Sequence, residues 1–373
     1  MITNSNTERI FGLDLMQAIG VGMLLLAQCI WIAPQFNGLI WQLASLFNFI
    51  GVEIFFVLSG FFMGKIVYGL FINENFGGSS IIYFLKGLGI RILPLYFLIL
   101  LINVLIAFWY DYSIVQSWKY VFLLQNFATA IPAFFSESFV LPIILFASIL
   151  FPILLWVFIL FFKTIGKSKI FLITTLVLVF LFFLTKLIYN ANTRNTDINQ
   201  WAFSLKSVVI YRLDAVFVGV LFSWFQVHFL SVWKKQKFLV AFLGSLGIVF
   251  IFVGVGHFQL LIENHKLFWN VFYLPLTSLS IAFFLPLLSE WKSIASWIKN
   301  PISYISSISF TLYLVYFGVV YQLLVYNYPK ISSHWFRLSL FLVLYLLITF
   351  LIAFLLFTFY QRLLINRFIK TLK

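Results

Sequence analysis

At 373 residues the chain would, if soluble, divide into two or three domains, but 63% of it is apolar and only 9% is charged. A soluble domain is roughly 45–50% apolar and 25% charged, so a water-soluble class is excluded and the length divides instead into spans of about 20 residues. The net charge of +14 fits Lys and Arg retained in the cytoplasmic loops of a membrane protein, not a nucleic-acid surface. A single cysteine, Cys29, leaves no intramolecular disulfide and no Cys-based metal site.

In chain order, the polar opening Met1 to Asp14 leads into an apolar run without a small-residue cleavage pattern, which reads as a retained helix rather than a signal peptide. Ten membrane-length runs are predicted: Leu15–Ala33, Phe47–Phe71, Arg91–Tyr110, Phe139–Phe162, Ile170–Tyr189, Ser207–Gln226, Phe238–Gly256, Phe268–Ser289, Ile305–Val325 and Phe336–Tyr360. Continuous runs of this length point to helices, which satisfy their backbone within one segment, and not to barrel strands of about ten residues. The fold class is therefore all-α integral membrane, with about ten transmembrane helices in one domain over residues 1–373.

An even number of spans puts both termini on one side. Sixteen Lys and Arg fall there, among them Arg9, Lys65, Lys86, Arg91, Arg362, Arg367, Lys370 and Lys373. Seven fall on the other side: Lys119, Lys186, Arg194, Lys206, Lys266, Lys330 and Arg337. The positive-inside rule then places both termini in the cytoplasm. The longest connection, Asp111 to Ser138, carries Trp118, Phe122, Phe127 and Phe134 and is expected to be re-entrant or interfacial.

Polar groups inside the spans are the functional signal. Glu53 stands in the apolar stretch GVEIFFVLSGFF, where a charge costs roughly 2.5–3.5 kcal/mol and needs an interior face, a partner or a task. It lies roughly 9 Å deep at 1.5 Å per residue, and Gln28 and Arg212 share its layer in the outer half. Arg212 and Asp214, two residues apart, point to different helix faces and do not pair with each other; Glu53 is the predicted partner of Arg212. Such a pair either fixes helix packing or lines a polar cavity. Asp14, Gln17 and Arg91 mark the cytoplasmic end, where Arg91 reads equally as a snorkelling anchor. His228, His257, His265 and His334 fall in or beside loops, and His257, Glu263 and His265 match no common metal spacing. Neither a nucleophile elbow, a phosphate-binding Gly-rich loop nor an H-E-x-x-H motif is present.

Five stretches in order resemble the acyltransferase-3 family of polytopic membrane O-acyltransferases. They are FGLDLMQAIGVGMLLLAQ (Phe11–Gln28), GVEIFFVLSGFF (Gly51–Phe62), RILPLYF (Arg91–Phe97), YRLDAVFVGVL (Tyr211–Leu221) and ISFTLYLVYFGVV (Ile308–Val320). The resemblance implies a helical membrane bundle in a bacterial cytoplasmic membrane. It implies acyl transfer from acyl-CoA, a co-substrate rather than a bound cofactor, to a hydroxyl of a surface glycan or a lipid-linked acceptor, with membrane lipid as surroundings. Members usually carry an Arg and a catalytic-type His on the first span, at positions that read Gln17 and Gln28 here. A glutamine amide is no general base, although it can donate and accept hydrogen bonds. The later Y-L-V-H pattern ends in Tyr316, and the usual acid ahead of Pro152 falls at Ile144.

Three readings stay open. In the first, the chain is an active O-acyltransferase whose base is Glu53, with Gln28 and Gln17 at the family's His and Arg positions and Arg212, Asp214, Tyr316 and Arg91 binding substrate. In the second, it is a silent scaffold that binds a glycan, lipid or partner. In the third, it is a transporter built on the same bundle, for which neither broken-helix pairs nor an inverted repeat is visible.

Overall fold

The computed structural model describes residues 9–32, 38–73, 75–111, 113–114, 116–193, 197–327 and 335–360. Expectations placed on the chain before Arg9 and on Arg194, Lys330, His334, Arg362, Arg367, Lys370 and Lys373 lie outside those residues. The described residues form helices and no strand. The crossing elements are α1 (Phe11–Ile32), α2 (Gly38–Ile72), α3 (Gly78–Trp109), α4 (Val140–Phe161), α5 (Lys167–Asn192), α6 (Leu213–His228), α7 (Lys237–Gly256), α8 (Phe268–Glu290), α9 (Ser296–Asn327) and α10 (Trp335–Tyr360). Nine of these are long and apolar enough to cross a membrane, and α6 is shorter. The protein is an all-α, multi-pass integral membrane protein. We call the end where α1 finishes and α2 begins distal, and the other end proximal.

Several helices start elsewhere than their hydropathy predicts. Helix α2 begins at Gly38 rather than Phe47, and α3 at Gly78 rather than Arg91. The extra turns of α3 bury Ile81, Phe84 and Leu88, a 3–4 spacing on one helix face, so an amphipathic lead-in extends the apolar run. The sixth helix starts at Leu213 and not Ser207, because Val208 to Arg212 is spent on other bonds. Val209 and Ile210 donate backbone N–H groups to the carbonyls of Asn126 (2.9 Å) and Phe127 (3.2 Å). Arg212 is therefore the residue that caps α6, not one embedded within a span.

Helix α2 is the central pillar: 89% of its apolar window is buried, against 22% for α10, whose side chains face outward to lipid. It meets α6 along a seam of small residues. A Cβ at Gly60 would strike the Val216 carbonyl, one at Gly64 the Ser223 side chain, and one at Gly219 the Val57 carbonyl. This small-xxx-small contact lets two backbones approach closely. Both helices run from the distal end, in parallel and in register, so the offset that sets Gly64 against Ser223 also sets Glu53 against Arg212, 159 residues apart. The sequence places a charge on each helix, and the glycine seam brings them together.

The connection from Asp111 to Ser138 carries a short helix, Trp118–Val121, and leaves Trp118 and Phe122 exposed. It folds into the distal end with Gln125 and Asn126 fully buried. Asn126 donates from Nδ2 to the carbonyls of Phe139 (3.1 Å) and Ser207 (2.5 Å), tying the start of α4 to the lead-in of α6. The Tyr120 hydroxyl donates to the Phe134 carbonyl and so closes the loop on itself.

Candidate functional site

Among the polar groups inside the bundle, three contain the residues singled out in the sequence, and they differ in how completely they satisfy one another. The first lies at the proximal end between α1 and α9. Gln17 donates to Ser309 Oγ at 2.6 Å, and the Ser306 hydroxyl stands 2.9 Å from Asp14 Oδ1 and 3.3 Å from Gln17 Oε1. Ser303 donates to Asp14 Oδ2 at 2.7 Å, and Arg9 reaches Ser307 at 2.7 Å and Asp14 at 3.4 Å. Ser303, Ser306 and Ser309 recur at every third position on the helix face that meets α1, so the polar partner of Asp14 and Gln17 is written into α9. Arg91 is not part of this group. It lies half-buried on α3, where its carbonyl accepts from the Tyr360 hydroxyl at 2.8 Å.

The second group is a buried double ion pair. Arg212 donates from Nη2 to Glu53 Oε1, and Ser278 on α8 donates to Glu53 Oε2 at 2.8 Å. Asp214, facing away from Arg212, takes the Lys186 ammonium at 2.6 Å. The predicted Glu53–Arg212 pair is present and Asp214 has a different partner, as two-residue helical spacing requires. Lys186, counted among the seven cations of the outer side, is fully buried on α5. A cation near a span end is ordinarily drawn toward water, but here Asp214 holds it inside. Both Glu53 oxygens are engaged, and Glu53 does not line the cavity described next.

The third group surrounds a distal cavity of about 180 Å³, below the roughly 300–1,000 Å³ of drug-sized pockets. Gln28 of α1, Asn48 of α2, Glu137, Lys206 and Tyr316 of α9 supply its main polar wall, and Trp31, Phe49 and Phe139 are among its aromatic lining. Gln28 and Tyr316 thus share the cavity. Arg212, Asp214, Glu53, Gln17 and Arg91 do not line it.

Glu137 and Lys206 are the residues that sequence reasoning missed. Glu137 sits in a 3₁₀ turn, Ser136–Phe139, that follows Phe135 in a left-handed conformation (φ 47°, ψ 49°). Its carboxylate is fixed by α9, which runs as a π-helix over Tyr316–Tyr321. A π-turn shifts the backbone register and is frequent at functional sites; here the Gly318 N–H donates to Glu137 Oε1 at 2.5 Å. The Tyr313 hydroxyl donates to the Glu137 carbonyl at 2.5 Å. Glu137 Oε2 is buried and has no hydrogen-bond partner among the described residues, and the same holds for Gln28 Oε1. The acid therefore reaches the site from the turn ahead of α4, while Ile144, where the family pattern expects it, is a buried apolar residue within α4.

Lys206, expected in an outer loop, lies in a short π-helical turn (Ala202–Lys206) and is 6% exposed. Its ammonium stands over the rings of Phe49 (4.8 Å) and Phe139 (4.7 Å), and it makes no hydrogen bond or ion pair among the described residues. Burial, with Arg212 nearby, pushes it down to about 7, against a smaller upward pull from Glu53. Near neutral pH this amine is thus divided between its charged and neutral forms.

The cavity is lined by Lys206 and by Glu137 and Gln28, each of which has one buried side-chain oxygen without a hydrogen-bond partner among the described residues. A carboxylate so placed can accept a proton from a hydroxyl. A family model described as an acyltransferase domain, acyltransferase-3, matches residues 10–358. No curated protein and no solved structure matches the chain.

Proposed function

The chain belongs to the acyltransferase-3 family, and we propose that it transfers an acyl group from acyl-CoA to a hydroxyl of a surface glycan or lipid-linked acceptor held in the distal cavity. The proposal places it in a bacterial cytoplasmic membrane with both termini cytoplasmic, so that the donor arrives proximally, on the side of Arg91, Asp14 and Gln17. The observation that carries the reading is Glu137, which lines the cavity and whose buried Oε2 has no hydrogen-bond partner among the described residues. In the proposed step the acceptor oxygen attacks the thioester carbonyl carbon and its proton passes to Glu137. The C–S bond then breaks and the CoA thiolate leaves, taking up a proton. Gln28 and Tyr316 donate hydrogen bonds to the carbonyl oxygen as negative charge develops there. Glu53, Arg212, Asp214 and Lys186 act as a strut that sets the lead-in of α6, and with it Lys206.

A second reading, a silent acyltransferase-like scaffold, is favoured by one observation: an amide, Gln28, occupies the family's imidazole position, and Gln17 is tied to serines where an Arg is usual. One experiment separates the two. Purified protein in detergent is mixed with radiolabelled acetyl-CoA and membrane glycans. The transferase reading expects labelled acceptor, reduced about 10²–10⁴-fold by Glu137→Gln, the range of a general base. If the wild-type chain is inert and the Gln17→Arg, Gln28→His double variant gains activity, the silent reading replaces it.

A further inference from the structure

Of the six buried charged side chains in the distal half among the described residues, four neutralise one another in pairs: Glu53 with Arg212 and Asp214 with Lys186. Glu137 spends one oxygen on the Gly318 N–H. Lys206 has only two ring faces. An ammonium taken from water needs hydrogen-bond acceptors as well as π-faces, and without them burial is costly. The charged and titratable groups about it are Arg212 at the start of α6, Glu53 on α2, Glu137 before α4 and Tyr316 on α9, with Asp214 and Lys186 behind the first pair. None of them bonds to its nitrogen. The ammonium lines the cavity beside neutral hydrogen-bonding side chains, Gln28, Asn48 and Ser45. An incoming group with negative charge would supply what the protein withholds.

We infer that the acceptor taken by this cavity is anionic, with a carboxylate or phosphate group that pairs with Lys206 beside the hydroxyl to be acylated. This rests on reading the cavity as the acceptor site. The pairing also explains why the amine is left without an internal acceptor: a carboxylate of the chain at that position would compete with the ligand. Because binding requires the ammonium, affinity is full below pH 7 and falls as the free amine loses its proton above it.

The test is calorimetric binding of four probes to the full-length protein in detergent: glucuronate, its neutral methyl ester, glucose 1-phosphate and glucose. At pH 6.5 at least one anion is expected to bind about tenfold or more tightly than its neutral counterpart, as a charge-assisted bond allows. The two anions distinguish a carboxylate site from a phosphate site. The preference should vanish in Lys206→Met and persist in part in Lys206→Arg. In the wild type, anion affinity should fall about tenfold per pH unit above 7, a readout that holds even if Lys206→Met fails to fold. Equal binding of anionic and neutral probes, no saturable binding of either anion, a preference that survives in folded Lys206→Met, or a flat profile from pH 6 to 9 would each overturn the inference. Anion preference without acetyl transfer would leave it standing and sink the transferase reading instead.

Discussion

Gly318→Ala tests the architecture of the site most directly. An added methyl would stand 2.5 Å from Asn103 Oδ1 and closer still to Glu137 Oε1, with the Glu137 carboxyl carbon also inside contact distance. Asn103 cannot swing away freely, because its Nδ2 donates to the Ile99 carbonyl at 2.9 Å and it is buried. The carboxylate must therefore move, which breaks its bond from the Gly318 N–H. Losing a hydrogen bond to a charged group costs roughly 1.5–3 kcal/mol, and overpacking adds about 1–3 kcal/mol. The gain in helix propensity from Gly to Ala returns about 1 kcal/mol, leaving a net loss of about 2–5 kcal/mol. Gly69→Ala on α2 is the control, since a methyl there meets nothing within 4 Å, and it should be neutral or slightly stabilising. The assay is thermal unfolding in detergent, followed by tryptophan fluorescence. Gly318→Ala should melt roughly 3–6 °C below wild type. The same change made in a Glu137→Ala background should cost less by about 1 kcal/mol or more, because the carboxylate is no longer there to displace. If Gly318→Ala melts with the wild type, or the two changes simply add, Glu137 does not pack against the π-turn as described.

Two further outcomes are expected. Lys186→Met leaves Asp214 charged and buried without its partner, at a cost of about 3–5 kcal/mol, whereas the Lys186→Met, Asp214→Leu double variant should recover most of that loss; additive losses in melting would refute the pairing. For orientation, an alkaline phosphatase fusion at Asn327 should be active, marking a distal end outside the cytoplasm, and one at Gln236 inactive. The reverse pattern would invert the topology and with it the proposed sides for donor and acceptor.

The bundle was largely legible because a run of apolar residues at membrane length has few other solutions. Starts of helices were not, since the lead-in of α3 alternates apolar and polar faces and escapes a hydropathy average. The Glu53–Arg212 pair was legible for a physical reason: an isolated charge in an apolar run requires a partner, and only a few are available. Lys186 and Lys206 were not, because a lysine near the end of a span reads the same whether its amine reaches water or folds inward. What separates them is the position of Asp214 on α6 and the rings of Phe49 and Phe139, neither of which is near them in sequence. The signal for Glu137 was fainter still. It stood in an aromatic-rich connection, and the only hint of its socket was Gly318, a lone glycine in an apolar helical run, which usually has a packing reason.

This difference in partnership decides how the buried charges should be weighed. A charge in a membrane helix invites a functional reading, and by that rule Glu53 stands out in the sequence. Yet a buried ion pair with its hydrogen bonds complete is a self-contained unit: Glu53 has Arg212 on one oxygen and Ser278 on the other. To act as a base it would first have to lose one of them, and the freed Arg212 would then oppose its protonation. Glu137 faces no such cost, because Oε2 has no partner among the described residues to give up, while the Gly318 N–H holds Oε1. Both carboxylates are equally removed from water, so burial alone does not rank them. The open hydrogen-bonding position does, and it is the reason we propose the turn before α4 for the chemistry and α2 for the framework.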